Sequence, residues 1–498
     1  MKRTKSTLPR KGNTSVTVGF NLRGKVLLLL AVAALCGCSN TSKVTLEQID
    51  KEEQAGNFSK ATYLIDLAIA QNNLTEDSVY QLNWRKDKIH RIALDFNKSA
   101  DDVIKYAKRY YPNVTTDSFP RWEETKALEY KIINGKKMYF DRAASNLFRL
   151  DPYAKERKAD TLGVVKDEME DTLKKHLPQI VTNIKKSGGF QTCPVNFKIK
   201  FTLTLDPNVV PEGETVRCWL PFPREDNRRQ SNIQLLSVND ENYIIAPSDY
   251  AHKSIYMQKT AVKDDSLKFE IQFSYRAVGE WFDMENLPIK PYYKNSDIYK
   301  QYTVERPPHI VFSDSIRAIS ERIVGNETNV YQKVLKIWEY IDTKYPWAGA
   351  REYSTIDNIP QYVIDNGHGD CGQVTLLFIT LARYNGIPAR WQSGLMLHPG
   401  DVNLHDWGEY YVEGVGWVPI DESFGVKYFS TDPDVKYFYS KGMDSYRMVV
   451  NNDYSMPFFP AKTYTRSDNV DFQRGELEWR GGNIYYDKWD YDIDVSYF

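Results

Sequence analysis

The sequence predicts a multidomain α+β chain: a helical N-terminal region, a β-sandwich, a mixed helix-and-strand core and a C-terminal β extension. Three observations predict it. Apolar residues recur at helical intervals from about 44 to 186, then alternate with period two between about 195 and 275, and a capped apolar helix near 371 is followed by three strand-like runs. With 498 residues, 42% hydrophobic and 26% charged, the chain can bury several cores.

The N-terminus carries Lys2, Arg3, Lys5, Arg10, Lys11, Arg23 and Lys25, then an apolar run from Val26 to Leu35. That run is too short to span a bilayer and reads as a signal peptide over residues 1–37. Its end, Leu35-Cys36-Gly37-Cys38, is similar to a bacterial lipobox, which makes Cys38 the lipid anchor and first mature residue. The expected location is therefore the bacterial cell envelope, lipid-anchored, periplasmic or outer-membrane. A formal net charge of -1 gives no basic footprint for nucleic acid. Three thiols remain after cleavage: Cys193, Cys218 and Cys371. Cys193 and Cys218 are a candidate disulfide pair, although a simple hairpin about Pro211-Glu212-Gly213 does not set them opposite each other.

Residues 38–187 read as a helical region, with Leu46, Ile49, Ala61, Leu64, Leu67 and Ala68 at helical spacing and Gly56-Asn57 as a break. No fixed repeat runs through it, and no sustained heptad. Lys185-Lys186-Ser187-Gly188-Gly189 reads as a linker. Residues 188–290 read as a β-sandwich: Phe197, Ile199, Phe201, Leu203 and Leu205 alternate with polar or smaller residues, as do Phe269, Ile271, Phe273 and Tyr275. Helices near Ser313-Asp314 and through Val334, Ile337, Trp338 and Ile341 open the core at 300–430. Residues 431–498 read as a β-rich extension packed on that core.

Within the core, Asp370 is an N-cap, and Val374, Leu377, Phe378, Leu381 and Ala382 form a stripe that ends at Asn385-Gly386. Cys371 therefore opens a buried helix. The helix N-terminus and a nearby imidazolium are expected to favour its thiolate. A strand to about Leu397, a loop through Pro399-Gly400, a strand from His405 to Val412 and another from Gly416 to Asp421 follow. A turn near Glu413-Gly414 sets His405 and Asp421 within a residue or so of facing each other. Asp406 is the poorer partner for His405, because neighbouring strand residues point to opposite faces. Thiol, imidazole and carboxylate in that order suit nucleophilic catalysis, although each residue taken singly has an ordinary structural reading. His368 and His398 lack metal-ligand spacing with Cys371, so no metal is expected.

Gly369-Asp370-Cys371, Gly386-Ile387-Pro388-Ala389-Arg390, His405-Asp406-Trp407-Gly408-Glu409 and Gly416-Trp417-Val418-Pro419-Ile420-Asp421 resemble the transglutaminase-like superfamily over about residues 310 to 425. The resemblance implies a papain-like core with Cys371 as nucleophile, His405 as general base and acid, and Asp421 as orienter. It also implies Trp407 and Glu409 as supports beside the histidine, whereas Trp417 reads better as sheet packing. No acidic loop has the spacing of an EF-hand calcium site, and no cofactor is expected. The implied activity is acyl transfer through a thioester on a peptide or protein substrate, cell-wall peptide among the candidates, with hydrolysis favoured over cross-linking. Two rival readings stay open: a catalytically idle binding or scaffold lipoprotein, and a carbohydrate-handling accessory protein suggested by 34 Tyr and 11 Trp.

Overall fold

The computed structural model describes residues 43–71, 73–163 and 165–498. The signal-peptide reading and Cys38 lie outside them. The chain divides into two compact units, one of residues up to His90 with 132–136, the other of residues 91–131 and 137–498.

In the first unit, helices Leu46–Gln54 and Phe58–Gln71 pack together. Thr45 and Gln48 form a reciprocal capping box that starts the first helix. The chain turns at Gly56, where φ is +73° and the Ile132 backbone fills the place of a side chain, so only glycine fits.

A hairpin that periodicity did not predict, β1 (Tyr130–Ile133) and β2 (Lys136–Tyr139), interrupts the helical region. In the second unit, helix Glu168–Ser187 is capped by Asp167 and closed by Gly188 in the left-handed conformation, where the linker was expected. Then come β3 (Gln191–Leu205), β4 (Thr215–Pro221), β5 (Gln230–Val238), β6 (Tyr243–Ile245), β7 (Ser254–Thr260) and β8 (Leu267–Trp281). The alternating residues of β3 and β8 point into one apolar core, as period two requires.

The core is built from helices Asp314–Ile323, Val330–Lys344, Ile359–Asn366 and Cys371–Tyr384, then β9 (Ala389–His398), β10 (Asp401–Val412) and β11 (Gly416–Ile420). After it come β12 (Gly442–Met443), β13 (Arg447–Asn451), β14 (Glu476–Trp479), β15 (Gly482–Ile484) and β16 (Trp489–Tyr497). The core sheet runs β11-β10-β9-β13, all antiparallel.

The C-terminal strands are not a separate layer on the core. β13 extends the core sheet, β16 pairs with β3 along its length, and β14 and β15 extend the sheet of β4 and β7. They cover strand edges that would otherwise be open. The candidate disulfide is absent: Cys193 and Cys218 are free thiols on β3 and β4, which belong to different sheets. Cys193 lies in the bulge between Thr192 and Val195, while Cys218 is fully buried in the sandwich.

Candidate active site

Cys371 opens helix Cys371–Tyr384, which is buried from Gly372 to Arg383. Asp370 accepts from Gln373 N at 3.1 Å, while Gln373 Oε1 accepts from Asp370 N at 3.2 Å, fixing the first turn. Gly372 lets that turn press onto β9 and β10: a Cβ there would meet Tyr353 Oη first, and would stand 2.7 Å from Asp406 Oδ2 and 2.8 Å from Trp391 Cη2.

β10 and β11 pair from Val412↔Gly416 to Gly408↔Ile420. Asp421 thus falls beside Trp407 rather than His405, yet on the same face, and it reaches the imidazole diagonally. His405 Nε2 and Asp421 Oδ2 are 2.7 Å apart. Asp421 Oδ1 accepts from Ser423 N at 3.1 Å and Phe424 N at 3.0 Å, and Arg447 stands 3.0 Å from Oδ2. Burial alone would raise the Asp421 carboxyl, but His405 and Arg447 more than offset it and hold the group well below the usual range. Burial lowers the His405 imidazole despite Asp421 beside it. Trp407 stacks on the His405 ring, centroids 6.0 Å apart, and donates from Nε1 to Gln392 at 2.9 Å.

Glu409 is not beside the histidine. It is buried in ion pairs with Arg390 at 2.6 Å and Arg228 at 2.9 Å, and Arg228 also pairs with Glu280 of β8 at 2.7 Å. Alternation puts Glu409 on the His405 face but about 13 Å further along the strand, so it ties β10 to the sandwich. Trp417 packs against Tyr302, Tyr411 and Arg390, as a sheet residue would.

The surroundings of the thiol differ from those expected. Cys371 is partly exposed, and its Sγ donates to Asp406 Oδ2 at 3.2 Å. Tyr353 Oη donates to Asp370 Oδ1 at 2.8 Å and lies 3.2 Å from Asp406 Oδ2, and Gln473 Nε2 donates to Asp406 Oδ1 at 2.7 Å. Burial, then Asp406 and Asp370, push the thiol well above its ordinary value. Burial, with the carboxyls of Asp406 and Asp370, outweighs the favourable influence expected of the helix N-terminus. Cys371 meets β10 one residue from His405, but the two share no hydrogen bond. Among the described residues, no group of three or more His, Cys, Asp or Glu is arranged to hold a metal ion.

Residues 317–422 match the family model described as the Transglutaminase-like superfamily. This segment is a transglutaminase-like core. An uncharacterized protein of Haemophilus influenzae is 26% identical over 258 residues, 45% of this chain and 68% of that protein. Protein YebA of Bacillus subtilis is 23% identical over 246 residues, 43% of this chain and 33% of that protein, so the match spans about a third of its length. Among solved structures, a candidate cysteine protease from Cytophaga hutchinsonii has 15% identity and a TM-score of 0.43, covering 62% of this chain and 92% of that one. The periplasmic domain of TgpA from Pseudomonas aeruginosa has 13% identity and a TM-score of 0.24, covering 47% and 93%.

Several side chains at the transglutaminase-like core's thiol were not found from sequence. Strand alternation is correct in keeping Asp406 apart from His405, but it says nothing of which face receives the helix. Tyr353 comes from a 3-10 turn, and Gln473 from the chain after β13. Arg447 was hidden in the C-terminal segment, where only its place in β13 brings it to Asp421.

Proposed function

We propose that the transglutaminase-like core performs acyl transfer with Cys371 as nucleophile, on a peptide or amide carbonyl, through a thioester. The observation that carries this reading is the buried His405–Asp421 pair at 2.7 Å, held one residue along β10 from the point where the capped Cys371 helix meets the strand. Nε2 is engaged by Asp421, which leaves Nδ1 to take the thiol proton once Sγ has swung from Asp406 towards the imidazole, and to return it to the leaving amine. The N–H groups of the first helical turn suit a developing oxyanion. Water then releases the acid, or an amine takes the acyl group. We favour hydrolysis, with the chain anchored at the cell envelope through a lipid on Cys38. A peptide or protein is then the substrate, cell-wall peptide included. Among the described residues, no helix is long and apolar enough to cross a membrane.

The test is turnover of a peptide-amide library by the full chain, compared with Cys371→Ala and His405→Ala. We expect no turnover without the thiol and a loss of about 10²–10⁴-fold in kcat/KM without the imidazole. Equal rates in wild type and Cys371→Ala would end this reading. The elevated thiol favours a second one, an idle fold serving as a binding lipoprotein; its signature would be ligand capture indifferent to Cys371→Ala.

A further inference from the structure

The Cys371 hydrogen is held by a carboxyl rather than by an imidazole, and that carboxyl is built into the fold. Asp406 is 3% exposed, and both of its oxygens are engaged: Oδ1 by Gln473 at 2.7 Å, Oδ2 by Cys371 and Tyr353, each at 3.2 Å. It also hydrogen-bonds Asp471. Asp471 is itself tied by Ser393 and Asn451 at Oδ1, while its Oδ2 is buried without an N–H or hydroxyl donor. Two carboxyls can share a hydrogen bond only if one of them carries a proton, so a proton sits between Asp406 and Asp471.

We propose that Asp406 is a further catalytic residue, the group that holds the Cys371 thiol as S–H at rest and so sets the pH at which the sulfur becomes reactive. The proposal rests on Cys371 being the nucleophile. In the step it governs, the Sγ–H···Oδ2 contact opens and the proton passes from sulfur to His405 Nδ1, giving thiolate and imidazolium with no net change of charge. Asp406 and Asp471 keep their shared proton throughout.

The ionisable groups that bear on this step come from every element around it. The Cys371 helix and its cap bring Asp370, whose carboxyl is raised to about 6, mainly by burial. The 3-10 turn brings Tyr353, and β10 brings His405 and Asp406. The segment before β14 brings Asp471 and Asp468, the latter raised to about 7 by burial and by Asp471. Arg466 acts on Asp471, and Arg142 and Arg474 act on Asp370 from further off. The groups touching the thiol are acidic or neutral, which favours S–H.

The experiment is the rate of iodoacetamide alkylation of Cys371 against pH, on the full chain with Cys193 and Cys218 followed separately by peptide mapping. Wild type should react with an onset above the ordinary thiol value of about 8.5. Asp406→Asn should bring the onset down by about one pH unit or more, a rate gain near neutral pH of roughly tenfold, and the gain should vanish in Asp406→Asn/His405→Ala. Asp471→Asn is the counter-variant: it leaves Asp406 an unshared carboxylate and should move the onset upward. The proposal is overturned if Asp406→Asn leaves or raises the onset, or if Asp471→Asn lowers it equally, since simple loosening of the site would then explain both. Peptide-amide turnover in the same samples separates this from the functional reading. A shift without turnover in any variant removes the hydrolase and keeps Asp406, whereas turnover without a shift does the reverse.

Discussion

Substituting Gly372 by alanine would place a methyl 2.7 Å from Asp406 Oδ2 and 2.8 Å from Trp391 Cη2. Overpacking of this kind costs about 1–3 kcal/mol. We expect Gly372→Ala to lower the melting temperature and to alter Cys371 alkylation, because the atoms it displaces include the one holding the thiol. Asp421 makes a different demand. It faces Arg447, which is fully buried, so Asp421→Ala should destabilise the fold by about 3–5 kcal/mol by removing half of that charge's compensation; a denaturant titration reads this directly. The His405–Asp421 pair was legible in the sequence because strand alternation fixes which residues share a face. Asp406 was not legible as a partner of Cys371, because nothing in a linear pattern says on which face of a strand a helix will land.

At the scale of elements, the Cys371 helix and the strands after it follow their sequence signals closely. β10 begins earlier than expected, at Asp401, because Pro399-Gly400 forms a tight turn that pairs His398 with Asp401. The sandwich alternation is reproduced residue by residue, whereas the destinations of β13 to β16 were not visible. A short strand carries its own period but no address, and pairing partners hundreds of positions away leave no local trace. Glu409 is the clearest link between elements. Arg390 and Arg228 overcome its burial and hold its carboxyl low. A depressed acid contributes stability above its unfolded value and loses it as pH falls through the folded one. Glu409→Gln should therefore destabilise the chain at pH 7 and weaken the acid limb of the stability profile. Faster amide exchange in β10 and β5 would show that the sheets have been uncoupled.

Across the whole molecule, buried carboxyls pull in two directions. Asp421, Asp444 and Glu409 are held low by cationic partners, so their stabilisation is lost in acid. Asp95 is raised to about 8, first by burial and then by Glu352. A raised acid favours folding while it is neutral, so its stabilisation is present at low pH and declines as pH climbs from the ordinary carboxyl range towards 8. Asp95→Asn should flatten that decline and raise the melting temperature at pH 9 by roughly 2 °C; a scan from pH 5 to 9 that shows no difference in slope would refute it. The pairing of β16 with β3 sets a timetable for the chain. Leu205 meets Trp489 and Phe197 meets Tyr497, so β3, paired with β8 on one edge as soon as Trp281 is made, must wait until translation has passed β16 for a neighbour on the other. Until then one edge each of β3 and β4, the edges away from β8 and β7, stands open to any other extended chain. Nascent or prematurely terminated protein is thus the form most in need of a chaperone, and the one most prone to stick to copies of itself.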